Sequence, residues 1–120
     1  MESRDVSSKL TAFVSRLYTK ALNRSYDVDG LNNHTANYIA NHDLYQLAYD
    51  FIFSSEFLEK DLSDEDFVDT MYRTFFDREG DPDGRADWLG RMKSGMSREQ
   101  VLAGFVGSQE CADLVAKFGI

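Results

Sequence analysis

The sequence predicts an all-α fold, a compact bundle of six to seven short helices in one domain over residues 1–120. Three observations predict it. Apolar residues recur at helical spacing, and no segment alternates as a strand would. Ser and Asp residues stand where helices would begin. The chain also resembles itself after a shift of 54 positions, which indicates two three-helix pseudo-repeats, of about residues 6–60 and 61–118.

The first pseudo-repeat begins with a helix predicted from about Val6 to Leu22, where apolar side chains follow one another every three or four residues. Asp27 is a good N-cap for a second helix, which ends near Asn41. Asp43 can cap a third helix in the same way. The first half of the chain is therefore expected to hold three helices before the next break.

The remaining helix starts carry clear capping signals. Each is a Ser or Asp followed by acidic or apolar residues that suit the first helical turn. Proline after Asp81 fits the first helical position, and Gln100 after Ser97 completes a capping box. These starts are Ser54 or Ser55, Ser63, Asp81, Ser97 and Ser108.

The repeat pairs residues of the same type without a gap. The matched positions are Phe13 and Phe67, Val14 and Val68, Tyr18 and Tyr72, Arg24 and Arg78, Asp27 and Asp81, Gly30 and Gly84, Ser54 and Ser108, and Glu56 and Glu110. Three short helices bury little apolar surface alone, so the two copies are expected to share one core.

This repeated pattern resembles the bacterial domain of unknown function 4214 in nearly the whole chain. The residues that carry the resemblance are Phe13-Val14, Tyr18, Leu22, Arg24, Asp27, Gly30 and Ser54-Ser55-Glu56-Phe57 in one copy, and Phe67-Val68, Tyr72, Phe76, Arg78, Asp81, Gly84, Trp88 and Ser108-Gln109-Glu110-Cys111 in the other. The chain departs from the pattern at Tyr26 and Gly80, where proline is expected, at His34, where tryptophan is expected, and at Cys111. The resemblance implies an accessory module of secreted or surface-attached bacterial proteins, with no catalytic residues.

Composition narrows the classes of partner. The net charge of −8 disfavours nucleic acid and anionic membranes, which reward clustered Lys and Arg. No apolar run approaches the roughly 20 residues of a membrane span. Cys111 is the only cysteine, so no intrachain disulfide can form. The first residues lack the apolar core of a signal peptide, so export would need a signal outside this sequence.

An acidic turn suggests calcium as one alternative. Glu79, Asp81, Asp83 and Asp87 match four ligand positions of an EF-hand loop, but Gly90 stands where the closing bidentate Glu is needed. Pro82 also suits a first helical residue better than a metal loop. Helix capping is the favoured interpretation, and no cofactor is expected unless calcium binds here.

Two Arg and two Glu residues recur with the repeat. Arg24 and Arg78 end helices, where a cation suits the helix dipole, while Glu56 and Glu110 open others, where an anion does. We expect buried or half-buried ion pairs, either within a copy or across copies. The alternative is an arginine that binds a ligand.

Aromatic residues provide the candidate ligand-binding set, which is Tyr26, Tyr45, Tyr49, Phe53 and Trp88. The first four do not all fit the apolar helix faces, so some are expected outside, where rings stack on sugars or anchor a protein. The alternative is that they cover the third helix. Trp88 is favoured as a core residue at its helical spacing.

No catalytic triad, phosphate loop or zinc spacing occurs, so the chain is not expected to be an enzyme. The sequence favours a non-catalytic accessory interaction module of a bacterial surface or exported protein that recognises a glycan or protein partner. The alternatives are a calcium-stabilised structural module and a scaffold or self-association domain.

Overall fold

The computed structural model describes residues 2–41 and 43–118, and this part of the chain contains eight α-helices and no strand. The helices are α1 Glu2–Leu17, α2 Val28–Asn41, α3 Leu44–Ile52, α4 Ser55–Leu58, α5 Asp64–Met71, α6 Pro82–Lys93, α7 Arg98–Val106 and α8 Gln109–Phe118. The predicted all-α class is confirmed. The described part of the chain has eight helices where six to seven were predicted. The predicted start at Ser54 or Ser55 opens a separate single-turn helix, which Ser54 caps by accepting from the N–H of Phe57 at 3.2 Å.

Capping side chains define most helix starts. The carboxylate of Asp43 accepts from the N–H of Gln46, and that of Asp81 accepts from the N–H of Gly84 at 2.9 Å. Ser97 and Gln100 form the reciprocal capping box at the start of α7. Each cap satisfies one of the backbone donors that a helix leaves unpaired at its first turn.

Helices α1 and α5 both end in a π-helical turn, Tyr18–Leu22 and Tyr72–Phe76. Each turn stops at a left-handed residue, Asn23 with φ 57° and Asp77 with φ 55°. Asn and Asp tolerate this backbone conformation better than most residues. The chain therefore reverses at the same place in both halves.

The two halves, α1–α4 and α5–α8, follow one plan. Helix α3 starts at Leu44 and α7 at Arg98, and α4 starts at Ser55 and α8 at Gln109, each 54 positions apart. Each half thus holds four helices rather than the three of the predicted pseudo-repeat. The fourth is α4 in one half and the longer α8 in the other.

Both halves contribute to a single hydrophobic core. Its largest fully buried side chains come from either side, namely Phe13 and Phe51 from the first half and Phe67, Phe75 and Phe105 from the second. Helix α3 packs on its counterpart α7, and the two π-helical turns contact each other. This burial provides most of the free energy of folding and sets the two halves against one another.

Candidate functional site

The first corner of the fold consists of Tyr18, Arg24, Asp27 and Glu56. Arg24 donates two hydrogen bonds to the carboxylate of Glu56, from Nε at 2.6 Å and from Nη2 at 2.9 Å. Its guanidinium lies over the ring of Tyr18, 5.0 Å from the centroid. The Tyr18 hydroxyl donates to Asp27 Oδ1 at 3.2 Å. These contacts join the first π-helical turn to the starts of α2 and α4.

The second corner repeats the arrangement with Tyr72, Arg78, Asp81 and Glu110. Arg78 donates to the carboxylate of Glu110 from Nε at 2.7 Å and from Nη2 at 3.0 Å, and it lies 5.3 Å from the Tyr72 ring centroid. It also reaches Asp81 Oδ1 at 3.4 Å. Both ion pairs lie within their own half, which is one of the two arrangements that the sequence left open.

The corner ion pairs are half-exposed. The side chains of Arg24 and Glu56 are 40% and 42% exposed. The hydrogen bond from Arg24 lowers the pKa of Glu56, and Glu56 in turn raises the pKa of Arg24. Tyr18 is buried, and this burial, together with the hydrogen bond to Asp27, raises its pKa to about 12. These shifts keep Glu56 anionic, Arg24 cationic and Tyr18 neutral over a wide range of pH.

Close packing at the corners requires glycine. A Cβ on Gly84 would lie 2.5 Å from the Tyr72 hydroxyl, and one on Gly30 would meet the Tyr18 hydroxyl and the Asp27 carboxylate. Both arginines are thus occupied by protein groups in a crowded setting. This arrangement favours a structural role for the corners over a ligand-binding arginine.

The acidic turn distributes its carboxylates among different partners. Glu79 accepts from Arg73 at 2.8 Å, and Asp87 pairs with Arg91 at 3.1 Å. Asp81 caps α6, and Asp83 lies exposed in the first turn of that helix. Over the described residues, no three Asp, Glu, His or Cys side chains converge as a metal site needs. Calcium binding at this turn stays a prediction.

Three of the predicted aromatic residues form a row along α3, which we call the α3 row: Tyr45, Tyr49 and Phe53. The ring centroids of Tyr45 and Tyr49 are 6.1 Å apart, and those of Tyr49 and Phe53 are 4.7 Å apart. Tyr45 and Phe53 are half-buried against the core, while Tyr49 is 37% exposed. Tyr26 is also exposed, but it precedes α2.

Trp88 lies apart from the α3 row and packs against the core. Its ring stacks on Phe105 with centroids 4.8 Å apart, and Arg91 covers it. In the first half, His34 takes this place over Phe51 at 4.4 Å. Burial lowers the pKa of His34, and its Nδ1 atom has no hydrogen-bond partner in the described part of the chain. The stacking of Trp88 on Phe105 accounts for its position in the second half, and His34 occupies the matching position in the first.

A cleft of about 420 Å³, which was not predicted from the sequence, lies where the two halves meet. It is lined by Thr19, Lys20, Ala21, Asn23, Lys60, Leu62, Thr70 and Arg73. These residues come from the first π-helical turn, the connection between α4 and α5, and the end of α5 with its π-helical turn. No short motif joins them, so only a map of contacts between the halves could have found the cleft.

The fold and its corners define an all-α helical module whose halves repeat one local geometry. A family model described as "Domain of unknown function (DUF4214)" matches residues 48–115, more than half of the chain. The chain belongs to this family. The match covers the end of α3, all of α4 and the second half as far as residue 115 in α8, and it does not extend to the rest of the first half. No curated protein and no solved structure matches the chain.

The helices that the structure describes do not meet the requirements of a membrane span. None of them, within the part of the chain that the structure describes, combines sufficient length with sufficient hydrophobicity to cross a bilayer.

Proposed function

We propose that the chain is a non-catalytic accessory interaction module of a bacterial surface or exported protein, and that it recognises a glycan or protein partner through α3. The observation that carries the proposal is the α3 row, in which the exposed Tyr49 ring stands between Tyr45 and Phe53. An aromatic ring offers a large contact area on sugar rings or apolar side chains, and its hydroxyl can hydrogen-bond.

The α3 row is held in position before any partner arrives. The opposite face of α3 is buried through Phe51 and Ile52, and the helix is capped by Asp43. The neighbouring rings restrict the rotamers of Tyr49. A side chain that is already ordered loses little conformational entropy on binding, so more of the contact energy appears as affinity.

Polar groups stand beside the aromatic row. Gln46 lies one turn before Tyr49 on the helix surface, and its amide donates to Asp50 at 2.8 Å. Gln46, Asp43 and Asp50 also line a small pocket between α2 and α3, together with Asn37. Amide and carboxylate groups next to a ring suit a ligand that presents both hydroxyls and an apolar face, as a sugar does.

The test is an oligosaccharide array, followed by titration of any bound glycan with Tyr49→Ala. Loss of the ring is expected to weaken binding at least about tenfold while leaving the fold intact, because Tyr49 is partly exposed. Leu58→Ala removes an exposed apolar side chain from α4 and is the matched control. Equal weakening by both variants, or none by Tyr49→Ala, would contradict the proposal. A Tyr49-dependent protein partner without any glycan would select the protein alternative.

A further inference from the structure

The cleft between the halves gathers positive charge in an acidic protein. Lys20, Lys60 and Arg73 line it, and no carboxylate does. The whole chain carries a net charge of −8. Glu79 pairs with Arg73 and Asp77 lies at the edge of reach of Lys20, so the local excess of positive charge rests mainly on the two lysines. Such an excess attracts anions.

The two lysines are only weakly engaged. Lys20 has Asp77 as its ion-pair partner, at a long 3.9 Å. Lys60 helps to lower the pKa of Glu56, yet no salt bridge holds it among the residues that the structure describes. Arg73, by contrast, is held by Glu79 at 2.8 and 3.2 Å. The cleft thus combines two available ammonium groups with one guanidinium that is already oriented.

Polar groups suited to hydroxyls complete the lining. Thr19 of the first π-helical turn and Thr70 of α5 contribute hydroxyl groups, and Asn23 adds an amide from its left-handed position. Each hydroxyl donates to a backbone carbonyl of its own helix, so its oxygen remains available as an acceptor. The first π-helical turn contacts both α5 and the second π-helical turn, and these contacts bring the lining residues of the two halves to one edge. The cleft has a volume of about 420 Å³ and is open to solvent, since most of its lining residues are exposed.

We propose that this cleft binds the carboxylate of an acidic saccharide, with Lys20 and Lys60 as the charged contacts and the Thr and Asn side chains facing the sugar hydroxyls. Ammonium–carboxylate hydrogen bonds are stronger than hydrogen bonds between neutral groups. The inference rests on the proposed function only for the choice of a saccharide. The site itself is distinct from the α3 row.

The test is a titration of the ¹⁵N-labelled chain with digalacturonate, followed by amide chemical shifts. Shifts are expected at Thr19–Asn23, Lys60–Leu62 and Thr70–Arg73, with binding that weakens as salt rises. The Lys20→Gln/Lys60→Gln variant should bind at least about tenfold more weakly. Lys93→Gln/Lys117→Gln makes the same change of charge at exposed positions on α6 and α8, and it should bind as the wild type does.

Several results would overturn the inference. Absence of amide shifts at the cleft would overturn it. Equal weakening by the two double variants would also do so, because it would show that binding depends only on the overall charge of the chain. Cellobiose or inorganic sulfate binding as tightly as digalacturonate would remove the acidic-saccharide assignment. The two proposals fail separately. If neutral glycans bind in a Tyr49-dependent way and digalacturonate causes no shifts at the cleft, only the α3 site is supported. If digalacturonate binds in the cleft and Tyr49→Ala changes no glycan binding, only the cleft is supported.

Discussion

The two corners are alike in detail, yet the helices around them are held by different contacts. In the first half, Leu31 is buried at the α2 position where the second half has Arg85. Arg85 instead donates to Asp69 of α5 at 2.7 Å. An apolar contact in one half is thus replaced by an ion pair in the other, without a change in the path of the chain.

The same exchange occurs elsewhere in the second half. Arg98 pairs with Asp64 at 3.0 Å and also lies over the Phe67 ring. In the first half, Leu44 stands in place of Arg98 and Leu10 in place of Asp64. Surface ion pairs contribute little to stability in most proteins. The comparison therefore teaches that the corners and the shared core specify the architecture, while the peripheral contacts between helices are interchangeable.

The largest effect is expected at the phenylalanine that packs beneath each corner, Phe51 in the first half and Phe105 in the second. Phe105→Ala should lower the free energy of unfolding by about 3–5 kcal/mol, because it leaves a cavity beneath Trp88 and Tyr72. Phe51→Ala should lie toward the lower end of that range, since His34 is the smaller partner. Denaturant unfolding of both variants measures the difference. A larger loss of stability for Phe51→Ala than for Phe105→Ala would contradict the expected difference between the halves.

The corner glycines are the next test. Gly30→Ala and Gly84→Ala should each cost about 1–3 kcal/mol, because the new methyl group overpacks a buried tyrosine. Gly30→Ala should cost more, since its methyl group would meet the Asp27 carboxylate more closely than a methyl group on Gly84 would meet Asp81, at 3.0 Å. Gly90→Ala is the control: nothing lies within 4 Å, so it should stabilise α6 by about 0.5–1 kcal/mol. Thermal unfolding resolves all three, and a neutral Gly30→Ala would refute the packing account.

The corner arginines should have a smaller effect. Arg24→Ala and Arg78→Ala should each lower stability by about 1 kcal/mol, since the pairs are half-exposed but bidentate and include a cation–π contact. Arg78→Ala should cost slightly more, because Arg78 also lies over Phe76. Lys93→Ala, which removes an exposed cation from α6, serves as the control. Unchanged stability with lost ligand binding would instead identify Arg78 as a ligand-binding arginine.

Alkaline titration separates the two corner tyrosines. A phenol whose pKa is about 12 in the fold and about 10 in the unfolded chain stabilises the fold below pH 10, and this contribution is lost as pH rises from 10 toward 12. Tyr18→Phe should therefore remove part of the alkaline loss of stability. Burial also raises the pKa of Tyr72, and Tyr72→Phe should show the smaller effect. Denaturant unfolding between pH 8 and 11 provides the measurement.

Calcium should produce the smallest effect. Millimolar calcium is expected to leave the melting temperature unchanged relative to chelator, because Glu79 and Asp87 are engaged by arginines and Asp81 caps α6. A ligand that binds only the folded state must raise its stability. A clear rise that Asp83→Asn abolishes would establish a metal site in the second half and a new difference between the halves.

The sequence by itself determined the helix class, most helix starts, the repeat and the residues of the corners. Asp81 caps α6 through Gly84, and Ser97 caps α7 through Gln100, because a cap depends on groups only three residues apart. Such signals need no knowledge of the rest of the chain. The start of α4 at Ser54 was predicted from its capping signal, but four residues show no periodicity, so this single turn was not counted as a helix.

Only the tertiary structure decided which halves, faces and charges meet. Arg24 joins Glu56 across 32 positions, and Lys20 shares a cleft with Lys60 and Arg73. Tyr49 is exposed because the packing of α3 on α7 buries the other side of the helix. These outcomes depend on how one half buries its apolar surface against the other, and that burial is a property of the whole core rather than of any local pattern.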